Sequence, residues 1–438
     1  MADARLIAGL TAVRPETRLR RWAGILSAFF TAQGLVQLAG IAAGILLVRT
    51  LPVREFALYT LALSVTTFFT FLSDLGSTGS LVHFFHRAAR EGEDFQPYLR
   101  AVLSLRRAGF LLGAAAVAVV FPRAAAAKGY GGTEIALTLA IIVGTVWFQI
   151  SAAVRILALR LADRYSASYR AEVSGALLRL LLTAGMVAGA LLRAWIGVLA
   201  SALGTALTAV LARRGGDPET ALASDPGDLR PYRRRVLRYL LPTLPSALYF
   251  SIQGPLVVWL AATFGETRNI AEVGALTRLG MVVGLFSTLS GVVFLPRLAR
   301  ISDERLWRVR AVQFGGALLG VTLALLTGGA LFPDVFLWVL GGSYAGLHRE
   351  LVLVVAGAGL TLLDGYVVSV NLARSWTRWQ GAAVVSLVAV QAALVALIPL
   401  GTTGGVLTFN LLSSAAALVL QLAIASAGFV RPERVSWK

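Results

Sequence analysis

The sequence predicts an all-α polytopic membrane protein with twelve transmembrane helices in two similar halves of six. Three observations carry this. Apolar runs of membrane-spanning length recur along the whole chain, the loops alternate between basic and nearly uncharged, and short motifs of the first half return in order in the second.

The chain is 57% hydrophobic and only 14% charged, with a mean hydropathy of +0.76. Its apolar runs are about 20 residues long, the length needed to cross a hydrocarbon core of roughly 30 Å. A formal net charge of +18 would suggest nucleic acid in a soluble protein. In a membrane protein the positive-inside rule accounts for it, so no nucleic-acid partner is expected. The absence of cysteine excludes disulfides and thiolate chemistry, and the three histidines (His83, His86, His348) leave no metal site or cofactor to expect. Met1 to Arg21 is too long and mixed for a signal-peptide n-region, and the apolar run from Trp22 to Val48 is too long for an h-region. Residues 1–21 therefore read as a tail or a surface segment before the first span.

Spans are expected near 22–48, 56–84, 101–121, 134–156, 171–192 and 194–212, then 240–263, 271–296, 311–333, 350–373, 379–400 and 403–427. Between the halves lies the longest polar run of the chain. From Arg213 to Tyr239 it holds seven arginines with Pro218, Pro226, Pro231, Gly215, Gly216 and Gly227, so a continuous helix is excluded. The expected organisation is a segment over 1–21, a bundle over 22–212, an Arg-rich linker over 213–239, a second bundle over 240–428 and a tail over 429–438. With the N-terminus cytoplasmic, 31 of the 40 lysines and arginines fall on inner segments and 7 in outer loops; Arg179 and Arg278 lie within spans. That asymmetry predicts both termini and the linker on the cytoplasmic side.

The repeat is short but ordered. Phe121-Pro122 returns as Phe332-Pro333, and Gly129-Tyr130-Gly131-Gly132 as Gly341-Gly342-Ser343-Tyr344. Leu161-Ala162 returns as Leu372-Ala373, and Gly197-Val198-Leu199 as Gly405-Val406-Leu407. Six spans per half is an even number, so both halves enter from the same side and the repeat is parallel.

The opening ILLVRTLPVREFALYTLALSVTTFFTFLSDLGSTGSL resembles the N-terminal signature of polysaccharide-biosynthesis flippases, through Arg49, Leu51, Pro52, Glu55-Phe56, Tyr59 and Asp74-Leu75-Gly76. Val273-Gly274-Ala275-Leu276-Thr277-Arg278-Leu279 and Val339-Leu340-Gly341-Gly342-Ser343-Tyr344 are similar to two further family segments, the first without the family's tyrosine. Ala57 stands where the family has glycine. The resemblance spans nearly the whole chain and points to the multidrug/oligosaccharidyl-lipid/polysaccharide flippase superfamily. It implies two six-helix bundles around a central cavity lined chiefly by spans 1, 2, 7 and 8. It also implies movement of an anionic polyprenyl-pyrophosphate-linked oligosaccharide between leaflets of a bacterial inner membrane. Membrane lipids, and a glycosyltransferase or polymerase of the pathway, are the partners it suggests.

Arg278 is the leading candidate for contact with such a pyrophosphate. A guanidinium inside a span normally faces protein or a wet cavity, and its fork matches phosphate oxygens. Arg179 has no acid at helical-neighbour spacing and reads either as a second contact or as a side chain reaching to inner headgroups. Arg49 sits in the first outer turn. Gln33 and Gln37 share one face of span 1, and Ser246, Tyr249 and Gln253 form a polar stripe on span 7. Such groups suit sugar hydroxyls and equally suit interhelical bonding; Asn410 is expected to bond a neighbouring helix. Asp74 and Asp364 are the intramembrane acids, to be read as coupling-ion sites or as structural partners of arginine. Pro242, Pro245 and Pro255 should bend span 7. A multidrug extruder of the same superfamily is the alternative. Outer loops this short leave no room for an enzyme such as a polymerase or ligase, and a non-enzymatic assembly scaffold would need none of the cavity groups.

Overall fold

The computed structural model describes residues 15–215, 228–289, 298, 301 and 303–430. The first half contains α1 (Pro15–Thr50), α2 (Val53–Asp74), α3 (Ser77–Glu91), α4 (Gln96–Ala126), α5 (Gly132–Leu161), α6 (Tyr165–Ala188) and α7 (Ala194–Arg214). The linker contributes α8 (Arg230–Leu240). The second half follows as α9 (Leu244–Phe264), α10 (Thr267–Leu289), α11 (Glu304–Leu331), α12 (Pro333–Leu340), α13 (His348–Ala373), α14 (Gln380–Leu397) and α15 (Thr403–Val430). Eleven described helical stretches are long and apolar enough to cross a membrane. The remaining expected span corresponds to α10 (Thr267–Leu289). Its 23 residues rise about 34 Å. The chain is a multi-pass, all-helical membrane protein. Below, the linker face is the end where α7 finishes and α8 begins, and the far face is the opposite end.

Several boundaries differ from expectation for identifiable reasons. Residues 1–14 lie outside the described part, and α1 is described from Pro15, ahead of Trp22. The span expected over 56–84 is two helices. Leu75 and Gly76 take positive φ (43° and 78°), which ends α2. Asp74 then accepts from Thr78 N–H at 3.1 Å and from the Ser77 hydroxyl at 3.2 Å, satisfying orphan donors at the start of α3. Leu81, Phe84 and Ala88 recur at helical spacing and turn the buried face of α3 inward.

The Arg-rich linker is likewise more ordered than its composition suggests. α7 runs to Arg214, 216–227 lie outside the described residues, and α8 is helical with Pro231 in its first turn. Val236 and Leu240 bury α8 against Leu81, Tyr98 and Val102 of α3 and α4. Pro242 then breaks the expected span 240–263 into α8, a single 3₁₀ turn (Leu241–Thr243) and α9. Pro255 lies inside α9.

α2 is the central helix of the molecule. Phe56, Ala57, Tyr59 and Ala62 are fully buried, and α2 packs on α4 within its own half and on α9 and α10 of the other. Helices approach closely where residues are small, since packing rather than hydrophobicity drives association in lipid. Gly175 of α6 and Gly204 of α7 pack backbone to backbone, each where the other's carbonyl leaves no room for a Cβ. Gly274 of α10 packs against the side chain of Thr60 on α2, where a Cβ would not fit, and so joins the halves. The repeated far-face turns do equivalent work. Tyr130 is buried and donates to the Arg54 carbonyl at 2.6 Å. Its counterpart Tyr344 is buried edge-on against Phe56, ring centres 6.5 Å apart.

Candidate functional site: a cationic cavity between the halves

A cavity of about 720 Å³ lies between the two halves. From the first half it is lined by Thr60, Ser64 and Thr67 of α2 and Arg179 of α6; α9 and α10 contribute Gln253, Thr277 and Arg278. α13 and α15 add Thr361, Asn410 and Ser414. Of the expected wall of spans 1, 2, 7 and 8, spans 2, 7 and 8 line the cavity among the described residues, joined by Arg179 of span 5 and by spans 10 and 12 (α13 and α15). Asn410 faces this cavity rather than serving only as an interhelical bond.

Arg278 stands eleven residues into α10, which starts at Thr267, and so lies about 16 Å along the axis. It is 7% exposed. Its Cδ lies 3.2 Å from where a Cβ on Gly44 of α1 would stand, so Gly44 is what lets the stem pass. The guanidinium carbon is 5.9 Å from the ring centre of Tyr59, and Nη1 reaches Met281 Sδ at 3.8 Å. Arg179 comes to the same tyrosine from α6, its Nη2 donating to Tyr59 Oη at 3.5 Å. It stands fourteen residues past Tyr165, about 21 Å from the linker end of α6, too deep for its side chain to lie at the headgroups there. The Nε atoms of both arginines are buried without a hydrogen-bond partner. Among the described residues no carboxylate lines the cavity, and neither arginine forms an ion pair. Two desolvated guanidiniums sharing one neutral phenol form a site that favours an anion.

The other candidate residues separate into groups. Gln253 lines the cavity and accepts from Gln391 of α14 at 2.9 Å. Tyr249, one turn earlier, has a buried hydroxyl without a partner, and Asp364 of α13 has a buried Oδ1 without one. Gln33 lies away from the cavity and donates to Glu172 of α6 at 3.3 Å, where Glu172 also pairs with Arg160 at 2.7 Å. Gln37 is half-buried one turn further on and is not part of the cavity wall. Arg49 lies on the far face, 4.8 Å from the ring centre of Trp338 on α12. Asp74 is an ion-pair partner of Arg106 at 3.3 Å. Tyr59 stood out in the sequence only as part of the family-like opening segment and not as a site residue, and Arg106 had no signal, being one of several arginines in α4.

The model of the family described as polysaccharide biosynthesis protein matches residues 22–302, more than half of the chain. The chain belongs to that family. Among solved structures, this family member is similar to "Lipid II flippase MurJ, inward closed conformation", with a TM-score of 0.72 and 12% identity over 91% of this chain and 87% of that one. It is also similar to the inward-facing conformation of a multidrug resistance MATE family transporter of the MOP superfamily (TM-score 0.55, 16% identity, 89% and 95% covered). A third is a MOP superfamily transporter from Pyrococcus furiosus, described by the reverse polarity of its binding pocket (TM-score 0.52, 17% identity, 91% and 94% covered). At these identities the likeness shows the fold alone. No curated protein gives a significant sequence match.

Proposed function

We infer that this protein is a flippase moving a polyprenyl-pyrophosphate-linked oligosaccharide from the inner to the outer leaflet of a bacterial inner membrane, for surface polysaccharide biosynthesis. The observation that carries this reading is the convergence of Arg179 and Arg278 on Tyr59 in a cavity that no carboxylate lines among the described residues. A diphosphate offers several oxygens to two guanidinium forks. Hydroxyls and amides from Ser64, Thr361, Gln253 and Asn410 suit the first sugars. Family membership supports the polysaccharide pathway. The resemblance to MurJ supports a lipid-linked cargo, its headgroup moving through the cavity while the tail stays in lipid.

In this reading the bundles over 22–212 and 240–428 rock against each other about the linker, whose basic face and both termini lie in the cytoplasm. The membrane potential contributes about 2.3 kcal/mol per charge per 100 mV to outward movement of an anion. A cavity for cationic drugs would instead be expected to carry acids.

The test is a host strain lacking the protein, with lipid-linked oligosaccharide, surface polysaccharide and drug sensitivity measured together. Accumulated precursor with reduced surface glycan is the expected result. Unchanged glycan with greater sensitivity to cationic drugs would replace this reading with extrusion. Lost polymer without accumulated precursor would replace it with an assembly role.

A further inference from the structure

On the far face, at the seam between the halves, a second cavity of about 540 Å³ is lined by Val53, Arg54, Lys128, Gly129, Thr267 and Arg268. Its cations come from three separate segments. Arg54 belongs to the first turn of α2, Lys128 to the α4–α5 turn and Arg268 to the first turn of α10. Val53 and Thr267 are the first residues of α2 and α10, so the two helices that meet at Gly274 and Thr60 both present their N-terminal ends here. First-turn N–H groups and the positive end of the helix dipole add to the side-chain charge.

Two of these cations hold only neutral acceptors, which are weak competitors for an oxyanion, and the third is paired with a carboxylate but largely exposed. Arg54 Nη2 donates to the neutral carbonyl of Gly129. Lys128 Nζ donates at 2.6 Å to the carbonyl of Gly265, across the seam in the other half. Arg268 is ion-paired with Glu272 at 2.8 Å, and its own side chain is 70% exposed. The nearby acids are engaged or turned aside. Glu272 also accepts from Thr403 at 2.6 Å, and Glu55 pairs with Arg193 and accepts from Ala194 N–H. Glu266 is exposed and is not among the lining residues.

We propose that this seam is a second anion site, which takes a phosphate or pyrophosphate group on the far side of the Arg179–Arg278 cavity. Charge-assisted bonds to phosphate oxygens are stronger than bonds to neutral carbonyls. An anion bound here draws Lys128 away from Gly265 and so removes a hydrogen bond that holds the halves together on this face. With a pyrophosphate-linked cargo, which rests on the flippase reading, the seam is the station the headgroup meets on leaving, and its arrival loosens the far-face closure.

The test titrates inorganic pyrophosphate onto the full chain in phosphatidylcholine nanodiscs by calorimetry, in an Arg179→Gln/Arg278→Gln background that silences the central cavity. Saturable binding should persist there and weaken about tenfold when Arg54→Gln, Lys128→Gln and Arg268→Gln are added. Lys128→Arg, which keeps the charge, should bind within about twofold of the background; it guards against misreading a folding defect, as does monodispersity by size exclusion. Equal affinity with and without the three seam substitutions overturns the proposal, and so does complete loss of binding in the background alone. Adding phosphatidylglycerol distinguishes the sources. Competition assigns the site to lipid headgroup phosphate, and its absence assigns it to a soluble or cargo pyrophosphate. Failure of the flippase reading would appear instead in the precursor levels of the deletion strain and would leave this binding result intact.

Discussion

Arg278 places its guanidinium carbon 5.9 Å from the centre of the Tyr59 ring, on the same tyrosine whose hydroxyl accepts from Arg179. One residue of α2 thus holds two cations from opposite halves beside the cavity. On the flippase reading, Arg278→Gln removes one fork from a bound diphosphate. Charge-assisted bonds of roughly 1.5–3 kcal/mol predict about 10- to 100-fold weaker binding. In cells the variant should accumulate lipid-linked precursor at normal membrane abundance. Tyr59→Phe keeps the ring and removes only the hydroxyl, so it should impair transport less than either arginine substitution. Wild-type precursor levels in Arg278→Gln would remove Arg278 from the cargo site.

Much of this was legible beforehand, because lipid imposes strong rules on sequence. The run lengths follow from the hydrocarbon core, and the repeated tyrosines Tyr130 and Tyr344 are both buried at far-face turns. What could not be read off depended on side chains meeting across helices. Arg106 looks like one more cytoplasmic charge, yet it is 2% exposed because Asp74 and Thr78 await it across the α2–α3 break. The prolines and glycines of the linker hide an eleven-residue helix, since Pro231 falls where proline is tolerated. Gln33 and Asn410 are chemically alike as amides, and only packing sends one to Glu172 and the other to the cavity.

The Asp74–Arg106 pair should act on stability. Arg106 also donates to Thr78 Oγ1 at 3.0 Å, so the pair fixes the break between α2 and α3. Arg106→Met leaves Asp74 unpaired and should cost about 3 kcal/mol, seen as a lower melting temperature in detergent. Asp74→Asn in that background should recover part of the loss, because asparagine still accepts from Thr78 N–H and carries no charge. An unchanged melting temperature in Arg106→Met would show the pair to be dispensable.

The linker helix is fastened by Glu93, which pairs with Arg235 at 3.2 Å and accepts from Tyr98 Oη at 2.8 Å. The hydrogen bond from Tyr98, then Arg235, holds the Glu93 carboxyl below the usual glutamate range. A lowered folded-state value means that the contribution is complete above the unfolded value, about 4.3, and is lost as pH falls through the folded one. Spin labels on α8 and α4 should therefore report a fixed distance at neutral pH and a broadened one below about pH 4. Glu93→Gln should show the broad distribution already at neutral pH. A narrow distribution in that variant would assign the docking to Val236 and Leu240 alone.

On the far face, Arg49 of α1 stacks on Trp338 of α12 at 4.8 Å and so ties the two halves. A partly exposed cation–π contact is worth about 1 kcal/mol. Trp338→Leu should raise the far-face-open population several-fold. The chain has no cysteine, so Thr277→Cys in the cavity gives a single thiol whose labelling by an impermeant maleimide reports that opening. Faster labelling in Trp338→Leu is expected. Equal rates would mean that the α2–α10 contact at Thr60 and Gly274 suffices to close this side.

In the sequence Asp74 and Asp364 read alike, as coupling sites or as structural partners of arginine, and their surroundings differ. Asp74 is neutralised by Arg106 and bonded to Ser77 and Thr78. Asp364 leaves Oδ1 buried and unpartnered on α13, one helix of the cavity wall. A carboxylate in that setting gains most by taking up a proton or a cation. If movement of the cargo is ion-coupled, Asp364→Asn should abolish the dependence of transport in proteoliposomes on the ion gradient while leaving cargo binding intact. Asp74→Asn should keep that dependence and lose stability instead. Gradient-dependent transport that survives in Asp364→Asn would exclude Asp364 as the coupling group and leave the membrane potential acting on the anionic headgroup as the drive.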